Sequence, residues 1–138
     1  LLLLALVAAA DIGAFFTGKT FGRLSLAPRV SPNKTWEGFA GGLVASGFVI
    51  TLVSTLLISR VAEVNLQLWL KYFISTLLIA SFSVVGDLFE SMIKRFRNVK
   101  DSGAILPGHG GMLDRIDGLT AAVPVYALLV LLMTADNL

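Results

Sequence analysis

Gly38 to Ile58 reads GFAGGLVASGFVITLVSTLLI, an unbroken run without a single charged residue. At 1.5 Å per residue a helix over it rises roughly 30 Å, enough to cross a hydrocarbon layer that takes about 20 residues. Three more apolar runs lie on either side, Leu1 to Phe16, about Leu66 to Val85, and Leu119 to Thr134. The third run is long enough as it stands. The fourth needs a helix that begins inside the preceding loop, near Asp117, and the first needs residues ahead of Leu1. Leu1 is neither a start methionine nor the head of a positively flanked signal peptide, so residues 1–138 are expected to be the C-terminal portion of a longer membrane protein. Composition agrees: 56% of the chain is hydrophobic and 14% charged, with a mean hydropathy of +0.83. That is more apolar surface than one soluble core needs. The expected fold is all-α, a polytopic transmembrane helical bundle with about four membrane helices in these residues. With no cysteine, disulfides and thiolate metal sites are excluded.

The charges thread the runs. Lys19, Arg23, Arg29 and Lys34 fall between the first two runs; Lys94, Arg95, Arg97, Lys100 and Arg115 fall between the last two. Positive loops stay in the cytoplasm. An even number of crossings separates the two basic loops, so both face the cytoplasm, with the Arg60 to Gln67 connection outside. The net charge of +2 does not point to nucleic acid, because the bases alternate with acids and lack aromatic stacking partners.

The acids are distributed less evenly than the bases. Asp87, Glu90, Asp101, Asp114 and Asp117 are five of the nine in the chain, all expected at or just outside the membrane surface. Asp87 and Glu90 are three apart, as are Asp114 and Asp117, so on helices each pair shares a face. Hard oxygen ligands at that spacing suit Mg²⁺, which takes one or two carboxylates and completes its shell with water and phosphate oxygens. Lys94, Arg95, Lys100 and Arg115 supply cations for phosphate, and Gly103, Gly108, Gly110 and Gly111 let backbone amides approach anionic oxygens. The plainer alternative is that Asp87, Glu90, Lys94 and Arg95 form ordinary salt bridges at a solvated helix end. Asp114 or Asp117 would likewise sit well at a helix N-terminus, though the dipole there calls for one acid and not two flanking an arginine. His109, alone between glycines, has no second histidine with which to build a zinc site.

Ser91-Met92-Ile93-Lys94-Arg95, followed after four residues by Lys100-Asp101, Gly103, Leu106-Pro107, His109-Gly110-Gly111-Met112 and Asp114-Arg115-Ile116-Asp117, resembles the pattern of the phosphatidate cytidylyltransferases, the CDP-diacylglycerol synthases. Asp11, Gly18, Gly22-Arg23 and the run Ser31-Pro32-Asn33-Lys34-Thr35-Trp36-Glu37-Gly38 resemble a second block of that family. The resemblance implies that CTP and phosphatidic acid are converted to CDP-diacylglycerol and pyrophosphate, at the cytoplasmic face of what is expected to be a bacterial inner membrane. It implies Asp87, Lys100, Asp101, Asp114 and Asp117 as catalytic residues. Asp87, Asp114 and Asp117, with Glu90 as a further candidate, are the expected holders of Mg²⁺ in a two-ion centre whose second ion is left open. Lys94, Arg95, Lys100, Arg115, His109, Gly110 and Gly111 are expected to bind substrate, and Asp101 to orient Lys100.

For the upstream block, Ser31 followed by Pro32 reads as a helix start, with serine capping and proline at the first helical position. Asn33, Lys34 and Thr35 are expected beside a substrate phosphate. Asp11 is either a boundary residue or an inner-face polar group, the latter being favoured. Gly38, Gly41, Gly42, Ser46 and Gly47 form a small-residue face for close helix packing, which permits a homodimer without requiring one. Three other functions compete. A CTP-dependent polyprenol or phytol kinase shares the upstream block but not Lys94 to Asp117. A CDP-alcohol phosphotransferase matches Asp114 to Ala121 and fails at Ala122. A channel or transporter would spread polar groups along its helices, whereas the interiors of the second and fourth runs hold no charge.

Overall fold

The structure, a computed structural model, describes residues 1–56, 66–97, 99 and 113–135, with the backbone alone for 113–115. The element order is α1 (Leu2–Phe21), β1 (Ser25–Ala27), β2 (Ser31–Thr35), α2 (Trp36–Leu56), α3 (Leu66–Phe96) and α4 (Leu113–Ala135). All four helices are long and apolar enough to cross a membrane. The transmembrane helical bundle is therefore as expected. Three helices extend past their apolar runs: α1 continues to Phe21, α3 continues through Asp87, Glu90, Lys94 and Arg95, and α4 starts before Asp117, at Leu113. With 31 residues, α3 is about 46 Å long, more than a roughly 30 Å hydrocarbon layer can hold. Its last turns carry the acids and bases to the membrane edge.

Small residues decide how the helices approach. Lipid tails are as apolar as leucine, so helices in a bilayer gain from close van der Waals packing and not from hiding leucines. The glycine face of α2 is used in this way, against α1 of the same chain. A Cβ on Gly42 would stand 2.7 Å from the Ala10 carbonyl oxygen, and one on Gly38 would stand 2.9 Å from that of Ala14. Gly47 turns the other way and receives the Phe73 ring of α3. Between α3 and α4, a Cβ on Gly86 would lie 2.8 Å from the Asp117 carbonyl oxygen and one on Gly118 2.5 Å from Ser83 Oγ. Val7, Ile79 and Ala122 are buried where α1, α3 and α4 meet. Large side chains such as Val44, Phe48, Leu128 and Leu131 point outward, as a lipid-facing surface requires.

Among the described residues, the one departure from an all-helical reading lies between α1 and α2. Ser31 and Pro32 open a strand, not a helix. The Val30 amide donates to the Ala27 carbonyl at 3.1 Å, closing a turn with Pro28 at its second position, where a fixed φ is favourable. The strands then pair antiparallel with Ser25 opposite Thr35 and Ala27 opposite Ser31. Pro32 has no N–H to give a ladder, but a two-stranded sheet has only edges, where proline is tolerated. Serine before proline is itself biased toward extended backbone, a signal that competed with the capping pattern and won. The cap of α2 is Thr35, whose Oγ1 accepts the Gly38 amide at 3.0 Å.

Candidate functional site

The site is assembled where the β-hairpin meets the last turns of α3. Lys34 Nζ donates to Asp87 Oδ2, an ion pair that joins β2 to α3 across 53 residues of sequence. One turn further on, Ser91 Oγ lies 3.5 Å from Asp87 Oδ1, so both carboxylate oxygens are engaged. Asp117 of α4 stands close enough to Asp87 and Glu90 to interact with them electrostatically. It is held there because Gly86 and Gly118 let α3 and α4 touch. Its own Oδ1 accepts the Gly118 amide at 2.7 Å, which fixes the rotamer. Glu90, 8% exposed, faces Lys94 Nζ at 3.4 Å.

Beside this cluster lies a cavity of about 340 Å³ whose lining mixes polar residues, Asp11, Ser31, Asn33, Lys34, Thr35 and Asp87, with apolar ones, Ala14, Phe15, Leu26, Phe39 and Val84. Such a mixed lining suits a ligand that has both a charged group and hydrocarbon. Its size is at the lower end of the roughly 300–1,000 Å³ typical of ligand pockets. Asp11, favoured from sequence as an inner-face group, does line it, and it interacts electrostatically with Asp87, Lys34 and Asp117. It also lies deeper than the sequence suggested. Because α1 runs on to Phe21, Asp11 is about 15 Å from the helix end along the axis.

The predicted residues fall into three groups. Asp87, Asp117, Glu90, Lys34 and Asn33 converge on the cluster and its cavity. Lys94 pairs with Glu90 at its edge, while Arg95 turns to the hairpin, its Nε donating to the Val30 carbonyl at 3.4 Å. Thr35 lines the cavity but also caps α2. Asp114 and Arg115 stand in the first turn of α4, where their side chains are not described, and Lys100, Asp101, His109, Gly110 and Gly111 lie outside the described residues. Sequence reasoning did not anticipate the Lys34–Asp87 pair, which had been divided between a phosphate role and a metal role. It also missed Ser91, although its i+4 spacing from Asp87 was readable.

Among the described residues, no three His, Cys, Asp or Glu side chains close around one point. Two do come together, Asp87 and Asp117, with Glu90 adjoining. Neighbouring carboxylates disfavour each other's charge unless cations neutralise them; Lys34 supplies one positive charge at Asp87, and two carboxylates are the share that Mg²⁺ takes from protein. The donor set therefore fits a hard divalent ion.

Residues 1–133 match the model of the cytidylyltransferase family. Over 124 residues the chain is 51% identical to the phosphatidate cytidylyltransferase of Pseudomonas aeruginosa, covering 90% of this chain and 44% of that protein. Its identity to the enzymes of that name from Haemophilus influenzae and Bacillus subtilis is 48% and 47%, over 88% of this chain in both cases and over 42% and 43% of those proteins. The chain thus spans less than half the length of the curated relatives it matches. A solved structure described as an intramembrane enzyme for archaeal membrane lipid biosynthesis has the same fold, with a TM-score of 0.63 at 20% identity, over 99% of this chain and 90% of that one. With the family model matched over residues 1–133, this chain belongs to the cytidylyltransferase family.

Proposed function

We propose that this chain carries the site at which a cytidylyl group passes from CTP to phosphatidic acid, releasing pyrophosphate and forming CDP-diacylglycerol. The observation that carries this reading is the joining of Lys34 to Asp87 at a cavity whose lining mixes charged and polar side chains with apolar ones. A reaction between a water-soluble nucleotide and a lipid phosphate needs that combination. The phosphate oxygen of the lipid attacks the α-phosphorus of CTP, and the bond to the β-phosphate oxygen breaks. The chain's task is alignment of two polyanions and stabilisation of the charge that moves from one oxygen to another.

In this reading Lys34 and Asn33 bind the lipid phosphate at the mouth of the cavity, whose wall of Phe15, Leu26 and Phe39 receives the start of the acyl region. Lys94, Arg95, Lys100 and Arg115, with His109 and the Gly110-Gly111 backbone, hold the triphosphate, and Asp101 orients Lys100. Asp87 and Asp117 would hold Mg²⁺, with Glu90 and Asp114 as further donors; the ion supplies charge neutralisation to the phosphates when bound. Asp87 also orients the Lys34 ammonium, and Ser91 steadies Asp87. No covalent nucleophile on the protein is required.

The test is transfer of label from CTP into lipid by the protein at its full native length. Label on the α-phosphate should enter the lipid only when phosphatidic acid is present. Label on the γ-phosphate entering a polyprenol instead would mean a lipid kinase, and no lipid-dependent incorporation of either label would end the proposal. Sidedness is part of the same reading, because CTP is cytosolic. A cysteine at Ser25, in the hairpin, is expected to react with a membrane-impermeant thiol reagent only after cells are opened. One at Gln67, at the opposite end of the bundle, is expected to react in intact cells; the reverse pattern would invert the topology.

A further inference from the structure

Glu37 stands in the first turn of α2, away from the cavity that Lys34 lines. The cation it would most simply serve, Arg23, is nearby, but its strongest contacts are with backbone. Both carboxylate oxygens lie 3.3 Å from the Leu24 amide. The other side of the Leu24 peptide is fixed as well, since the Trp36 amide donates to the Leu24 carbonyl at 3.0 Å. Leu24 is the residue at which the chain leaves α1 and enters β1. Its neighbour Ser25 pairs with Thr35, and Lys34 is one residue before that pair. An acid at a helix N-terminus is ordinarily explained by the dipole, but the dipole does not require a carboxylate turned back onto the residue that precedes β1, 13 residues away.

We infer that Glu37 is a positioning residue, clamping the entry of the β-hairpin to the first turn of α2 so that the Lys34 ammonium is delivered to Asp87. The physical need is plain. The hairpin has two short strands, and isolated two-stranded hairpins are marginal in water. Left to itself it would not hold a lysine within contact distance of a carboxylate on another helix. Thr35 and the Trp36–Leu24 backbone bond tie the hairpin to α2, and Glu37 adds a third tie, gripping the amide side of Leu24 so that the joint is held from both faces of that residue. The inference about catalysis rests on the function proposed above; the inference about Lys34 does not.

Two measurements on the full-length protein separate these. The first is labelling of lysine amines by a succinimidyl ester, read peptide by peptide by mass spectrometry. Lys34 in the wild type is expected to label slowly, and D87N to raise its rate. E37A should raise Lys34 to the level seen in D87N with Lys19 unchanged, and E37Q, which keeps one acceptor oxygen, should fall between. An unchanged Lys34 rate in E37A would overturn the inference, and so would an equal rise at Lys19, which would mean that Glu37 merely supports the fold. The second is a double-mutant cycle with K34A on cytidylyl transfer. E37A should cost about tenfold when Lys34 is present, on the scale of losing hydrogen bonds to a charged group. It should cost less than about twofold when Lys34 is absent, because a residue acting through another has nothing further to lose. Equal costs in both backgrounds would show that Glu37 acts independently of Lys34. Should the wild type transfer no cytidylyl group, the labelling still decides the positioning role.

Discussion

Asp87→Asn is expected to lower turnover at least about a hundredfold, the scale of losing a metal-holding or metal-orienting carboxylate. Asparagine preserves shape and one acceptor oxygen, so the fold has little reason to change. What goes is the charge that holds Lys34 at Oδ2 and that, in the proposed reading, would hold a divalent cation together with Asp117. The competing view is that Lys34 and Asp87 form only a structural ion pair. Partly exposed pairs contribute about 0.2–1 kcal/mol, which would lower the melting temperature slightly and leave turnover alone. Measuring rate against Mg²⁺ concentration for wild type and variant decides between them. A lower rate with a raised Mg²⁺ requirement is the expected result. Wild-type turnover with a small loss of stability would remove Asp87 from the chemistry.

The second large effect should come from a methyl group with no charge at all. A Cβ on Gly86 would sit 2.7 Å from the Ala121 Cβ and 2.8 Å from the Asp117 carbonyl oxygen. Backbone cannot give way as a flexible side chain can, so Gly86→Ala must push α3 and α4 apart. Overpacking of this kind costs about 1–3 kcal/mol. It also withdraws Asp117 from Asp87, and catalysis that depends on placement loses about a hundredfold for an error near 1 Å. The expected outcome is therefore a protein that still inserts, melts earlier and turns over far more slowly. The same change at Gly47, which meets the Phe73 ring and not backbone, should reduce stability while sparing turnover. Equal losses of turnover at the two positions would mean that activity follows overall stability and not the α3–α4 contact.

The number of helices, their order and the presence of a polar centre near α3 and α4 were all legible in the residues of this chain. Membrane helices announce themselves because a bilayer admits no unsatisfied backbone and so demands a long apolar run. The acids at Asp87, Glu90 and Asp117 were legible for a related reason: so many carboxylates beside lipid need a use. Even the small-residue face of α2 could be read, since only small side chains let helices touch when lipid offers no hydrophobic drive.

What the residues alone could not give was partnership across the chain. That Lys34 meets Asp87 depends on a hairpin whose formation turned on a competition at Ser31 and Pro32, between a capping pattern and the extended preference of a residue before proline. Local preferences of that size are nearly balanced, and pairing with Ser25 to Ala27 tipped them. The depth of Asp11, the face of Asp117 turned to Asp87, and the clamp from Glu37 to Leu24 likewise follow from how α1, α2, α3 and α4 pack. Burial and composition are properties that a segment carries with it, so sequence determines them. Distances between segments are set by which surfaces fit, and only the tertiary structure decided those.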